Sequence, residues 1–93
     1  MGRIVRGRIV LIGDNSSVPE NHLKTLGDRI RLLRKERGLT QEMLADVAKL
    51  DRSYIGGVER GERNLTFTVL CQICNALRCD VATLTHGLPR LPS

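Results

Sequence analysis

The chain has 93 residues, 41% of them apolar, which suffices for one small domain whose single core gives marginal stability. Fifteen Lys and Arg against ten Asp and Glu leave a net charge of +5 and favour a polyanionic partner. One Tyr, one Phe and no Trp exclude the aromatic platforms on which single-strand and RNA binders stack bases, leaving duplex DNA as the better-matched polyanion.

Met1–Ile12, MGRIVRGRIVLI, is rich in β-branched residues and arginine and can form one short strand. Three readings of this arm stay open: a leader without fixed structure, a strand paired with the same arm of a partner subunit, or a basic arm along DNA. Its apolar run, Ile9–Ile12, is far too short for a membrane span and lacks the longer apolar stretch of a signal peptide, so a cytoplasmic protein is expected. Gly13–His22, GDNSSVPENH, is a linker by composition.

Leu23, Leu26, Ile30 and Leu33 recur at steps of three and four and mark a first helix that ends near Gly38. Thr40 is placed to cap a second helix, in which Leu44, Ala45 and Ala48 make the apolar face and Glu42, Asp46 and Lys49 face water. Asp51 can cap a third, with Ile55 and Val58 inward and Arg52, Ser53, Gly56, Gly57 and Arg60 together on the outward strip. Thr66 can cap a fourth helix whose inward residues are Leu70, Ile73, Cys74 and Leu77, and Asp80 a short fifth, Val81 to His86. The prolines keep the final GLPRLPS non-helical.

The segment Thr40 to Asn64, TQEMLADVAKLDRSYIGGVERGERN, carries most of the information. Two short helices joined by a tight turn, the second presenting polar residues and glycines beside strong positive charge, have the layout of a helix-turn-helix that sets one helix into the DNA major groove. Ten of the fifteen basic residues lie between Leu23 and Leu65, in keeping with that reading. Each of the adjacent glycines costs about 0.5–1 kcal/mol relative to alanine in a helix. Close approach is the expected compensation, either to the preceding helix or to the floor of a groove.

At these residues the chain resembles the Xre-like family, the fold of the lambdoid phage repressors and Cro proteins. Leu26–Leu84 fits its five-helix pattern, and the run DRSYIGGVERGERN resembles in particular the small controller proteins of restriction–modification systems. The expected fold is thus all-α: a five-helix repressor-like DNA-binding domain over residues 23–88, preceded by an extended arm and linker (1–22) and followed by a tail (89–93). The resemblance implies that Gln41 binds a backbone phosphate and braces the recognition helix. It sets Arg52, Ser53, Gly56 and Gly57 at base-contacting positions, with Arg52 the candidate for a bidentate contact to guanine and the glycines without a side chain to read with. Thr40, Tyr54, Arg60, Arg63 and Asn64 fall with the phosphate-contacting residues, and Arg34 and Glu59 at the positions of a partly buried ion pair. Two residues depart from the pattern: Lys49 and Arg78 stand where the family usually has glycine, so a left-handed backbone there is mildly strained.

Cys71, Cys74 and Cys79 lack the paired spacing of a standard zinc site, and the periodicity assigns Cys74 and Cys79 to the core. They read as small apolar groups, with a thiol redox sensor, or a metal site with His86 as fourth ligand, as the alternatives. No nucleophile stands at a motif spacing from His22 or His86 and no phosphate loop is present, so neither an enzyme nor a cofactor is expected. The leading reading is a sequence-specific transcriptional regulator binding a palindromic operator as a homodimer, since one short helix reads too few base pairs alone. Phe67, Val81, Leu84 and Leu88 are expected as the apolar dimer surface, with Phe67 and Leu84 equally readable as monomer core. The alternative from another class is an antitoxin-type module that binds a protein partner and DNA only secondarily.

Overall fold

The computed structural model describes residues 21–89, which form five α-helices and, among the described residues, no strand. The expectations for Met1–Ile12 and for most of the linker lie outside the described residues. The helices are α1 (His22–Glu36), α2 (Gln41–Ala48), α3 (Arg52–Glu59), α4 (Phe67–Leu77) and α5 (Val81–Thr85). Their boundaries are written in side-chain caps. Thr40 accepts from the Met43 amide, Thr66 from Val69 and Asp80 from Thr83, each satisfying a first-turn donor that has no partner inside the helix. Two caps differ from expectation. Asn21, read as linker, accepts from the Lys24 amide and starts α1 at His22, whereas Asp51 stands at the head of α3 without making a side-chain capping bond.

The core takes Leu26 and Ile30 from α1, Leu44, Ala45 and Ala48 from α2, and Ile55 and Val58 from α3. Leu70, Ile73, Cys74, Ala76 and Leu77 of α4 and Leu84 of α5 complete it. Every inward residue expected for the second, third and fourth helices is in this set. Leu84, at 1% exposure, is therefore monomer core and not dimer surface.

Lys49 and Arg78 both adopt the left-handed conformation, at φ 61° and 60°. The turn keeps the geometry that glycine would favour because the backbone closes each helix end behind it. The Leu50 amide bonds Ala45 O at 2.9 Å, and the Cys79 amide bonds Cys74 O at 3.0 Å. Leu50 and Cys79 then pack against the core, which offsets a left-handed cost of roughly 1–2 kcal/mol at each site. A cationic side chain at a helix C-terminus also suits the helix dipole.

Three side chains tie helix ends together. Arg29 Nη1 donates to Leu84 O (3.1 Å) and His86 O (2.7 Å), Arg37 Nε to Leu77 O (2.8 Å), and Gln72 Nε2 to Ala48 O (2.9 Å). Where α1 crosses α3 the backbones themselves meet. A Cβ on Gly27 would lie against Val58 O and 2.7 Å from Glu59 O, so only glycine allows this approach.

Candidate nucleic-acid interface

The orientation of α3 is set by apolar and ionic contacts made side by side along its inward face. Ile55 and Val58 anchor it in the core, and Glu59, 4% exposed, meets Arg34 of α1, 8% exposed. The pair is bidentate: Nε to Oε2 at 2.7 Å and Nη2 to Oε1 at 3.0 Å. Gln41 Nε2 donates to the same Oε1 at 3.1 Å, and Arg34 Nη1 to Leu39 O at 2.9 Å, so the charges are hydrogen-bonded on several sides. A buried ion pair adds little net stability, but its fixed geometry removes rotational freedom between the three helices it joins. Gln41 at the head of α2, Arg34 in α1 and Glu59 at the end of α3 thus form one rigid brace.

At the other end of α3, Arg52 and Ser53 are exposed, and no ion pair among the described residues involves Arg52. The strip beyond them differs from the sequence expectation. Gly56 and Gly57 do not lie bare on the outward surface: they are buried under arginine and glutamine side chains. A Cβ on Gly56 would sit 3.1 Å from Arg60 Nη1 and 3.7 Å from Gln41 Oε1, and one on Gly57 would sit 3.0 Å from Arg63 Cγ. The close approach that the glycines permit is to these side chains: Gly56 meets the preceding helix through Gln41, one of the two partners expected from the sequence, together with Arg60, and Gly57 meets Arg63 of the following loop. A closer approach, backbone against backbone, occurs between α1 and α3 at Gly27, which periodicity alone did not single out.

The flanking cations are ordered by local contacts. The Arg63 guanidinium lies over the Tyr54 ring, 5.7 Å from its centroid, and Arg60 Nε bonds Glu62 at 3.1 Å in an exposed pair. Asn64, next after Arg63 in the chain, and Thr40 are exposed, Thr40 serving also as the α2 cap. Arg52, Ser53, Arg60, Arg63 and Asn64 thus share the surface presented by α3 and the loop after it, next to the N-terminus of α2. That arrangement places cationic and hydrogen-bonding groups together, as a duplex backbone and groove edge require.

The remaining candidates are elsewhere. Phe67 is 70% exposed at the start of α4, while Val81 and Leu88 are half-buried. The cysteines are free thiols, and among the described residues no group of three or more His, Cys, Asp or Glu is arranged to hold a metal. Burial, reinforced by the neighbouring Cys79, pushes the Cys74 thiol up to about 12. The Asp80 carboxyl is held below the usual carboxylate range, first by the Thr83 hydroxyl and then by the Thr83 amide that it caps.

A helix-turn-helix family model matches residues 30–84. The control protein C.SmaI of Serratia marcescens is 42% identical over 59 residues, a match covering 63% of this chain and 70% of that protein. The crystal structure of the restriction–modification controller C.AhdI from Aeromonas hydrophila superposes with a TM-score of 0.68 at 43% identity, covering 70% of this chain and 98% of that one. The controller C.Esp1396I, solved as a tetramer on its natural 35 base-pair operator, has a TM-score of 0.64 at 40% identity over 68% of this chain and 83% of its own. With the family match spanning more than half the sequence and these controllers matched over most of their length, the chain belongs to the Xre-like helix-turn-helix family of DNA-binding regulators.

Proposed function

We propose that the chain regulates transcription in the cytoplasm by binding duplex operator DNA sequence-specifically as a homodimer, with α3 in the major groove. What supports this is the exposed, unpaired head of α3, where Arg52 and Ser53 stand on a helix that the Arg34–Glu59–Gln41 brace holds in one orientation. In this reading Arg52 takes the two acceptors of a guanine edge and Ser53 contacts an adjacent base. Thr40, Gln41, Tyr54, Arg60, Arg63 and Asn64 meet backbone phosphates on either side and set the register. Gly56 and Gly57 contribute space for the overlying arginines and no contact of their own. Phe67, Val81 and Leu88 form the surface for the second subunit. Dimerisation follows from arithmetic: two half-sites give a regulator the discrimination that a few base pairs cannot. The operator-bound state of C.Esp1396I is in keeping with this assignment.

Selection of bound sequences from a random duplex library tests it. The expected product is a two-fold symmetric site with half-site centres one helical turn, about 34–36 Å, apart. Arg52→Ala should cost about 1–3 kcal/mol and relax preference at one base position per half-site. Loss of affinity to all sequences alike would make Arg52 a phosphate ligand, and enrichment of no sequence would overturn the reading.

A further inference from the structure

The outer face of α2 has no partner among the described residues. Met43 and Val47, four residues apart, are 46% and 60% exposed, although α2 has only eight residues and already buries Leu44, Ala45 and Ala48 on its other side. Glu42 and Asp46, also four apart and exposed, run alongside them, so the face is an apolar stripe edged by two carboxylates. No salt bridge among the described residues involves either carboxylate. Like charges at this spacing repel, and neighbouring apolar side chains gain by leaving water, so the face suits a partner that is both cationic and apolar.

This chain carries a segment of that chemistry. In Met1–Ile12, Arg3, Arg6 and Arg8 alternate with Ile4, Val5, Ile9, Val10, Leu11 and Ile12, without a single Asp or Glu. The segment reaches α1 through residues 13–20, eight residues that span at most about 26–29 Å when extended. The chain joins α1 at Asn21, and Lys24, in the first turn, lines the same cleft as Gln41, the first residue of α2. The chain therefore enters α1 beside the N-terminal end of α2, on the side of that helix opposite Met43 and Val47, and a tether of this length is enough to pass around a helix about 10–12 Å across. We propose that α2 is a docking surface for the chain's own arm, with arginines of 3–8 against Glu42 and Asp46 and the Ile and Val side chains against Met43 and Val47. Docked there, arginines of the arm are engaged by the two carboxylates and withheld from non-specific contact with DNA.

The test uses the full-length protein. In the wild type, NOEs are expected between the Met43 and Val47 methyls and the Ile methyls of the arm, and trypsin should cut slowly after Arg6 and Arg8. Glu42→Lys with Asp46→Lys should speed those cuts about tenfold, since proteolysis follows the population of the released arm. Adding Arg6→Glu and Arg8→Glu removes the trypsin sites, so restored docking in that charge-swapped protein is read from the return of the NOEs. Wild-type spectra without arm NOEs at either methyl, whether the face is bare or covered by a second copy's α2, would overturn the proposal. So would cleavage rates that the α2 double substitution leaves unchanged with its helicity intact.

Discussion

Removing the Glu59 carboxylate is the sharpest perturbation of the brace. Glu59→Ala leaves Arg34, 8% exposed, with one remaining hydrogen bond, to Leu39 O, and takes from Gln41 the acceptor it uses. An uncompensated buried charge costs about 3–5 kcal/mol, several times the worth of an exposed pair. In a domain of this size each kcal/mol moves the melting temperature by roughly 4–8 °C, so the variant is expected to melt well below the wild type. Arg34→Ala should cost a similar amount, because it strands Glu59 with Gln41 alone. The double substitution should then cost much less than the sum, with a coupling energy of about 1–3 kcal/mol, since each single change already removes the pair. Thermal and urea melts of the four proteins at one fixed concentration measure this, the concentration mattering because association adds to apparent stability. Additive losses would refute the energetic argument, and so would a Glu59→Ala cost as small as that of Glu62→Ala, whose partner Arg60 is exposed.

Gly27→Ala decides between helix propensity, which favours alanine by about 0.5–1 kcal/mol, and the backbone contact with Val58 and Glu59, where overpacking costs about 1–3 kcal/mol. The variant should be less stable and bind DNA more weakly because α3 is displaced; a stabilised variant would mean that α1 and α3 separate freely. The Cys74 thiol, pushed up to about 12 from 9.0, stays protonated in the fold while its unfolded counterpart ionises. Its contribution to stability is complete below pH 9 and lost as pH rises toward 12, so wild type should lose stability over that range more steeply than Cys74→Ala. Iodoacetamide followed by mass spectrometry should find Cys74 the slowest of the three thiols in the native protein, and equal rates would count against a buried, protonated group.

Helix order and core membership were legible because both are one-dimensional properties. Thr40, Thr66 and Asp80 each precede an apolar-periodic run, and capping needs only residues three apart in sequence. The Arg34–Glu59 contact has no such local signature: the partners are 25 residues apart, and what suggested them was the family pattern, with spacing silent. Asn21 carried a local signal, an Asn ahead of the periodic run, but the polar stretch before it reads as linker throughout. Leu84 could not be assigned between core and dimer surface from sequence, because a five-residue helix is too short for its period to define a face.

The glycines expose the limit of that reasoning most clearly. Helical geometry puts positions 56 and 57 on the side of α3 away from Ile55 and Val58, and they do lie there, yet both are buried. Periodicity gives the direction in which a position points and leaves open what lies over it. Arg60 returns across Gly56 from the end of the same helix and Arg63 across Gly57 from the loop beyond, each long enough to cover a position without a Cβ. The same glycines therefore explain how two loop cations can rest on α3 at all. A Cβ at position 57 would meet the Arg63 side chain at 3.0–3.6 Å and press it away from the helix that it shares with Tyr54. The sequence run GGVERGER thus encodes, in its spacing of three glycines and two arginines, a surface on which charge is held close to the helix axis, and not a helix face with two residues left blank.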